Sequence, residues 1–443
     1  MEVLVENTLV YLFVMILIFS VVVFYSKRKN KQSKIVIKKI EKAKEYGFHE
    51  PVSLHPVINY DICIGSGACV VACPEQDILG LVDGKAKLIN ASHCVGHGAC
   101  FHACPLQAIT LVMGTEKRGV ELPHVSIEYE TNVPGIYIAG ELGGMGLIKN
   151  AVEQGQLAMG NIIENIKPES KADYNVIIIG AGPAGISATL TAAKKGIKFL
   201  TIEQDTLGGT VYSFPRKKIV MTQPMELPLY GKVKLVETSK SELLELWKEV
   251  LAKNNISINE QEKVISIEKK GEIFEIKTSQ SLYTSQKILL TIGRRGSPRK
   301  LGVPGEEKEK VAYRLLEPEL IQNQAVLVVG GGDSAIETAL LLSEGKNTVT
   351  LSYRGESFNR LKPKNHQKII SAKERGVINI ILNSNVKEIY DDSVILTLQD
   401  STEINIANEL IYIFAGGELP NKFLESIGIT ITKKFGETIL KHK

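Results

Sequence analysis

Cysteine is absent from everything after Cys104, which excludes a redox dithiol on the remainder of this 443-residue chain. Basic surface is scarce as well. Seven Lys or Arg fall between Lys27 and Lys39 with no acidic residue among them, and removing these seven from the formal net charge of +4 leaves −3 for the rest. Positive charge is therefore one local segment, and no nucleic-acid partner is expected. With 44% hydrophobic against 23% charged residues the composition is that of globular protein, long enough for two or three domains. No side chain stands out as a general acid, base or nucleophile, so no catalytic residue is named.

What is present begins with an apolar run. Leu9 to Tyr25, LVYLFVMILIFSVVVFY, carries no charge and only Ser20 as a conventional polar residue. As a helix it spans roughly 25 Å, near the short limit for one bilayer crossing. A signal peptide starts basic and ends at a small-residue cleavage site, whereas this segment starts MEVLVEN and ends in SKRKNKQSK. Residues 1–27 are expected to be a single-pass anchor in the cell membrane, with Lys27, Arg28, Lys29 and Lys31 holding the remaining chain on the cytoplasmic side. Residues 28–54 read as a basic linker. Within it IVIKKIEKAKEYG is either a short amphipathic helix against anionic membrane lipid or a solvated connection.

All six cysteines lie in two copies of one pattern, CIGSGACVVACP from Cys63 and CVGHGACFHACP from Cys94, a period of 31 residues. Over residues 55–112 the spacing resembles the bacterial two-cluster ferredoxin, an α+β domain in which the last cysteine of each run crosses to the other cluster. The resemblance implies two iron-sulfur clusters, one held by Cys63, Cys69 and Cys104 and the other by Cys94, Cys100 and Cys73. Gly65, Gly67, Gly96 and Gly98 would let backbone N–H groups approach the sulfurs. The second cysteine of each family run is replaced, by Ser66 in one and His97 in the other. Each cluster then has three thiolates. Either it is a 3Fe-4S cluster, or a 4Fe-4S cluster with an open corner, or Ser66 and His97 supply the fourth ligands.

From Tyr174 the chain reads YNVIIIGAGPAGISATLTAAKKGIKFLTIEQD: an apolar strand, a G-x-G-x-x-G turn, a helix and a second strand ending in an acid. Gly180, Gly182 and Gly185 allow close approach of a pyrophosphate at the helix N-terminus, and Glu203 can accept hydrogen bonds from a ribose. A second unit, AVLVVGGGDSAIETALLL, supplies Gly330, Gly332 and Ala335. No acid closes its following strand. Ser352 and Arg354 stand there, with Arg360 beyond, which favours a 2′-phosphate and hence NADPH over NADH.

Together with LGGTVY, TIGRRGSPRKLGVPGEE and VVGGGDSAIE, these units resemble thioredoxin-reductase-like FAD/NAD(P)-dependent oxidoreductases over residues 113–443. The resemblance implies FAD in the first unit, bordered also by Gly209 and Thr210, NAD(P)H in the second, and a homodimer. The family's last FAD-domain piece is missing from the C-terminal part, yet ETNVPGIYIAGELGGMGLIKNAVEQG occurs from Glu130, which implies a circular permutation. Gly140 and Glu141 would then face the flavin's ribityl-pyrophosphate region, and a helix starting near Asn150, Ala151 and Val152 would aim N–H groups at the ring. The expected fold is α/β, with two Rossmann-like domains, the ferredoxin domain and one transmembrane helix. FAD binding is assigned to 113–166, 172–295 and 408–443, and NAD(P) binding to 296–407. The implied activity is electron transfer between NAD(P)H, FAD and the two clusters, to or from a protein or membrane carrier. Alternatives are reduction of a small oxidised substrate such as a low-molecular-weight disulfide, and a membrane redox sensor or assembly factor.

Overall fold

The computed structural model describes every residue except 1, 47, 52–53, 76, 95, 97, 117–118, 145–146, 215–218, 222–223, 236, 295, 297, 359–360 and 441–443. The chain divides into two compact units, one of residues 1–120 with 434–443 and one of residues 121–433.

The first unit opens with one helix, Glu2–Glu45, of 44 residues. No Gly or Pro interrupts it before Gly47, so nothing in the backbone breaks the i to i−4 ladder. From Tyr11 to Tyr25 its apolar run has no buried side chain, with Tyr11 at 72% and Phe19 at 69% of full accessibility. Beyond Tyr25 the helix does not become a separate linker. It continues and packs on a hairpin of strands Leu79–Val82 and Lys85–Leu88. Ser33 Oγ accepts a hydrogen bond from the Asp83 N–H at 3.0 Å, and Lys39 pairs with Asp77 at 2.5 Å. Val36 lies so close to Gly80 that a Cβ there would meet its methyl at 2.7 Å. Residues 28–45, expected as linker, are thus a docked helix.

Beside the hairpin lies an antiparallel sheet of Leu54–Ile58, Ile109–Met113 and Glu437–Leu440. The last of these strands corrects the expected assignment of 408–443 to the flavin domain, because Glu437–Leu440 takes the free edge of Ile109–Met113 instead. Two short helices, Ala68–Ala72 and Ala99–His102, carry the cysteines.

The second unit contains two parallel-rich sheets. In the first, Tyr174–Ile179 lies between Leu282–Leu290 and Phe199–Ile202, both parallel to it, with Ile273–Thr278 and Val264–Lys270 extending antiparallel beyond Leu282–Leu290. Ile136–Ile138 joins the same sheet, parallel to Leu282–Leu290 through Ile288 to Leu290. Val176, Ile177 and Ile178 are fully buried, as a strand covered on both faces requires. Helices Pro183–Lys194 and Ile148–Glu164 cross at Gly155, where a Cβ would fall 2.2 Å from the Ala184 carbonyl oxygen.

The second sheet is parallel throughout, in the order Val311–Ala312, Leu410–Ile413, Ala325–Val329, Thr348–Ser352, Ile378–Ile381. Leu410–Ile413 was expected in the flavin domain, but it fills the slot beside Ala325–Val329. Leucine and isoleucine there complete the core of this sheet, with Ile411 fully buried. The chain then returns, and helix Asn421–Ser426 packs its buried Leu424 among Ile136, Ile177 and Leu290.

Candidate functional site

The two cysteine runs fold into two cavities. One is lined by Cys63, Cys69 and Cys104, together with Ser66, Gly65 and Gly67. The other is lined by Cys73, Cys94 and Cys100, with Gly96 and Gly98. Each cavity draws two cysteines from one run and one from the other. The four glycines all have left-handed φ, between 68° and 77°, which turns the loop around the cavity without a Cβ in the way. Gly65 is the tightest case, since a Cβ would fall 1.9 Å from the Gly84 carbonyl oxygen.

Burial pushes Cys94 up to about 11 and Cys100 up to about 12, neighbouring cysteines adding to both. Cys69 and Cys73 are raised as well, mainly by burial. Such sulfurs are neutral thiols at ordinary pH unless a cationic centre compensates their charge, so loading a metal cluster would release protons. Cys104 Sγ accepts the Ala108 N–H at 3.2 Å. Ser66 is exposed at the mouth of the first cavity, and its hydroxyl accepts the Ala68 N–H at 3.4 Å. His97 lies outside the described residues. The donor set fits iron-sulfur clusters: soft sulfurs, a cavity for each trio, and backbone loops free of side chains.

Lys85 was not singled out from sequence. Its Nζ donates to the carbonyl oxygens of Cys63 at 2.6 Å and Tyr60 at 2.8 Å, placing a cation beside the first cavity. The only sequence signal was its position directly after a turn glycine.

On the flavin side, Gly180 has φ 106°, and a Cβ at Gly185 would fall 1.9 Å from the Gly180 carbonyl oxygen. Gly182 is open and precedes helix Pro183–Lys194, and Gly209 sits 3.5 Å from it by the same construction. Thr210 follows in the same turn. A pyrophosphate fits this cradle, because the backbone comes forward without side chains at a helix N-terminus. Glu203 is buried and accepts the Ala181 N–H at 2.7 Å and the Asp205 N–H at 2.9 Å. Burial holds its carboxyl above the usual range, and these two N–H groups oppose that.

Gly140, with φ 84°, donates its N–H to Gln154 Oε1 at 2.8 Å. Glu141 opens a short 3-10 turn. Burial lowers the pKa of Arg294, and the carboxylates of Glu141 and Glu121 push it back up. Arg294 and Gln154 were missed from sequence, although Arg294 belongs to the quoted TIGRRG. The helix expected to start near Asn150, Ala151 and Val152 starts at Ile148, and the Ala151 N–H already bonds the Leu147 carbonyl at 2.8 Å. Free donors at its start therefore belong to residues 148–150, because the intrahelical ladder consumes every later N–H.

In the second dinucleotide unit Gly330 has φ 139°, Gly332 precedes helix Asp333–Glu344, and Ala335 is fully buried. Ser352 does not face a ribose. It is fully buried, with its hydroxyl 2.8 Å from that of Ser384. Arg354 is exposed, and Arg360 lies outside the described residues. The Tyr353 ring covers Gly331 and stacks on Phe358 at 5.5 Å.

Two dinucleotide folds joined to a cysteine-lined unit define a flavin-dependent, nicotinamide-linked electron-transfer protein. Residues 177–442 match the pyridine nucleotide-disulphide oxidoreductase family model, and residues 55–105 match the 4Fe-4S dicluster domain. The chain belongs to the pyridine nucleotide-disulphide oxidoreductase family and is an FAD-dependent NAD(P)H oxidoreductase of thioredoxin-reductase type with a ferredoxin-type domain. It is 28% identical over 268 residues to a ferredoxin–NADP reductase of Ignicoccus hospitalis, covering 59% of this chain and 83% of that one. To the bacilliredoxin reductase Bdr of Bacillus subtilis it is 29% identical over 265 residues, covering 59% and 82%. The solved bacillithiol disulfide reductase Bdr of Staphylococcus aureus matches with a TM-score of 0.52 at 25% identity, over 60% of this chain and 85% of that chain.

Proposed function

We propose that this protein is a membrane-anchored NAD(P)H-linked oxidoreductase that passes electrons between NAD(P)H, FAD and two iron-sulfur clusters, to or from a further carrier. The observation that carries it is the crosswise pair of cavities, Cys63, Cys69 and Cys104 in one and Cys73, Cys94 and Cys100 in the other. The bound cofactors supply the hydride and single-electron chemistry. The chain's own residues bind and position. The cysteines hold the clusters, with Ser66 and His97 at the fourth-ligand positions. Gly180, Gly182, Gly185, Gly209 and Thr210 border the FAD pyrophosphate, and Glu203 keeps the loop at Ala181 in place while its remaining lone pairs meet the ribose. Gly330, Gly332 and Ala335 shape the nicotinamide-dinucleotide turn, with Arg354 meeting a 2′-phosphate.

Anchoring is supported by an apolar helix long enough to cross a membrane, whose apolar window has no buried residue and is followed by basic residues. A permuted flavin domain is supported by Ile136–Ile138, which lies parallel in the sheet of Tyr174–Ile179. Anaerobic stopped-flow mixing with NADPH or NADH, following flavin and cluster absorbance together, tests the electron order. Cluster bleaching that lags flavin bleaching supports it, and flavin reduction without any cluster reduction refutes it.

The likeness to bacilliredoxin and bacillithiol disulfide reductases favours a second reading, reduction of a small disulfide at the flavin. Under that reading, turnover survives replacement of the cluster cysteines.

A further inference from the structure

We propose that the loop Tyr60–Gly65 seats in the lipid headgroup layer, so that the first cysteine cavity is membrane-side and the second membrane-distal. This inference rests on the apolar run being a bilayer span. Within the first unit the first hairpin strand, Leu79–Val82, runs antiparallel to the docked helix. A Cβ at Gly84 would lie 3.1 Å from Lys29 Nζ, Asp83 bonds Ser33, Gly80 meets Val36 and Asp77 pairs with Lys39. Helix numbering climbs away from the span while hairpin numbering falls.

Magnitudes then place the hairpin. At 1.5 Å per residue, Lys29 stands about 6 Å beyond Tyr25, Ser33 about 12 Å and Lys39 about 21 Å. The headgroup layer on each side of the hydrocarbon is about 5–8 Å deep. The Gly84 turn therefore falls at the outer edge of the headgroup layer, between the levels of Lys29 and Ser33, and Asp77 stands clear of it. The first cavity belongs to the Gly84 end, because Gly65 abuts the Gly84 carbonyl and Lys85 binds the carbonyls of Tyr60 and Cys63. Lining by Ile78 and Leu79, next to Asp77, puts the second cavity at the far end.

The surface at the near end suits lipid. Tyr60, Ile62 and Ile64 are 50%, 44% and 65% exposed, and Leu106, which lines the same cavity, is 45% exposed. Four exposed apolar side chains, of which Ile64 and Leu106 line the cavity and Tyr60 and Ile62 lie on the adjoining loop, together with the basic stretch from Lys27 to Lys31 make the combination that binds an anionic bilayer surface. An electron carrier dissolved in the bilayer would reach the first cavity before the second.

Tryptophan quenching tests this in the full-length, cofactor-loaded protein, reconstituted in phosphatidylcholine–phosphatidylglycerol vesicles with or without bromine on the acyl chains. The one native tryptophan, Trp247, is fully buried and gives a constant background. Phe19→Trp reports the span, Ile64→Trp the loop and Tyr46→Trp the distal end of the helix. Phe19→Trp and Ile64→Trp are expected to lose emission in brominated vesicles, and Tyr46→Trp to keep it. Emission from Ile64→Trp that is unchanged while Phe19→Trp is quenched overturns the loop docking and leaves the anchor standing. An unquenched Phe19→Trp overturns the anchor and the docking with it. Equal quenching of Tyr46→Trp and Ile64→Trp overturns the ordering along the helix. Should Ile64→Trp fail to load cofactors, Ile62→Trp reports the same loop.

Discussion

Gly65 and Gly84 touch backbone to backbone: a Cβ on Gly65 would fall 1.9 Å from the Gly84 carbonyl oxygen, at a φ of 68°. Gly65→Ala therefore adds the left-handed cost of about 1–2 kcal/mol to a steric overlap. The first cavity should open and lose its cluster while the second persists. With one cluster proposed in each cavity, iron analysis should show about half the wild-type content; full iron with unaltered spectra would refute the contact's importance.

The Lys85 ammonium stands beside the first cavity only. Lys85→Met should lower the midpoint potential of that cluster, because the reduced form carries one more negative charge and loses a nearby cation. Lys85→Arg should restore much of it. A redox titration followed by EPR that shows both clusters shifting equally, or neither, would rule this out.

The proposed crosswise ligation makes a specific demand on mutants. Cys104→Ser, in the second run, should perturb the cluster of Cys63 and Cys69, and Cys73→Ser that of Cys94 and Cys100. Mössbauer spectra of His97→Ala, for which the second cluster's signature should change, examine the fourth position in the same way.

Arg354 and Ser352 should separate cleanly. Arg354→Ala is expected to raise the KM for NADPH and leave that for NADH nearly unchanged. Ser352→Ala removes one buried hydroxyl contact with Ser384, worth about 1 kcal/mol of stability, and should leave the nucleotide preference intact. Steady-state kinetics with both nucleotides decides between them.

Burial raises the Glu203 carboxyl above its unfolded pKa. Its ionised form therefore costs the FAD-free protein stability above the folded pKa, and that cost is relieved as pH falls through the folded pKa toward the unfolded one. Glu203→Gln should abolish this part of the pH dependence in thermal unfolding. It should also weaken FAD retention, since one of two backbone N–H donors then loses its acceptor. Identical pH profiles for the two proteins would show that Glu203 makes no such contribution.

Much of this was readable in advance for definite reasons. A strand buried on both faces must be apolar throughout, as Tyr174–Ile179 nearly is, and the turn after it needs glycine where a Cβ would strike a carbonyl, as at Gly185. The unbroken helix had a signal too, the lack of Gly or Pro between Glu2 and Glu45, although residues 28–54 read as a linker. Other features had no local trace. The pairing of Glu437–Leu440 depends on a vacant edge at Ile109–Met113, far away along the chain. Leu410–Ile413 is apolar in a way that suits either sheet, and only its register with Ala325–Val329 decides. Ser352 reads as a polar site residue by type, yet Ser384 across from it satisfies its hydroxyl indoors.

The strand Glu437–Leu440 also sets an order of biogenesis. It completes the cysteine-bearing unit's sheet about 320 residues after Met113 leaves the ribosome, a delay of some tens of seconds at ordinary synthesis rates. Through that interval the six cysteines are already made, while the edge of Ile109–Met113 still awaits its neighbour. Metal loading before release from the ribosome would thus meet an unfinished scaffold, and a protein shortened before residue 437 would keep every cysteine yet leave that edge bare.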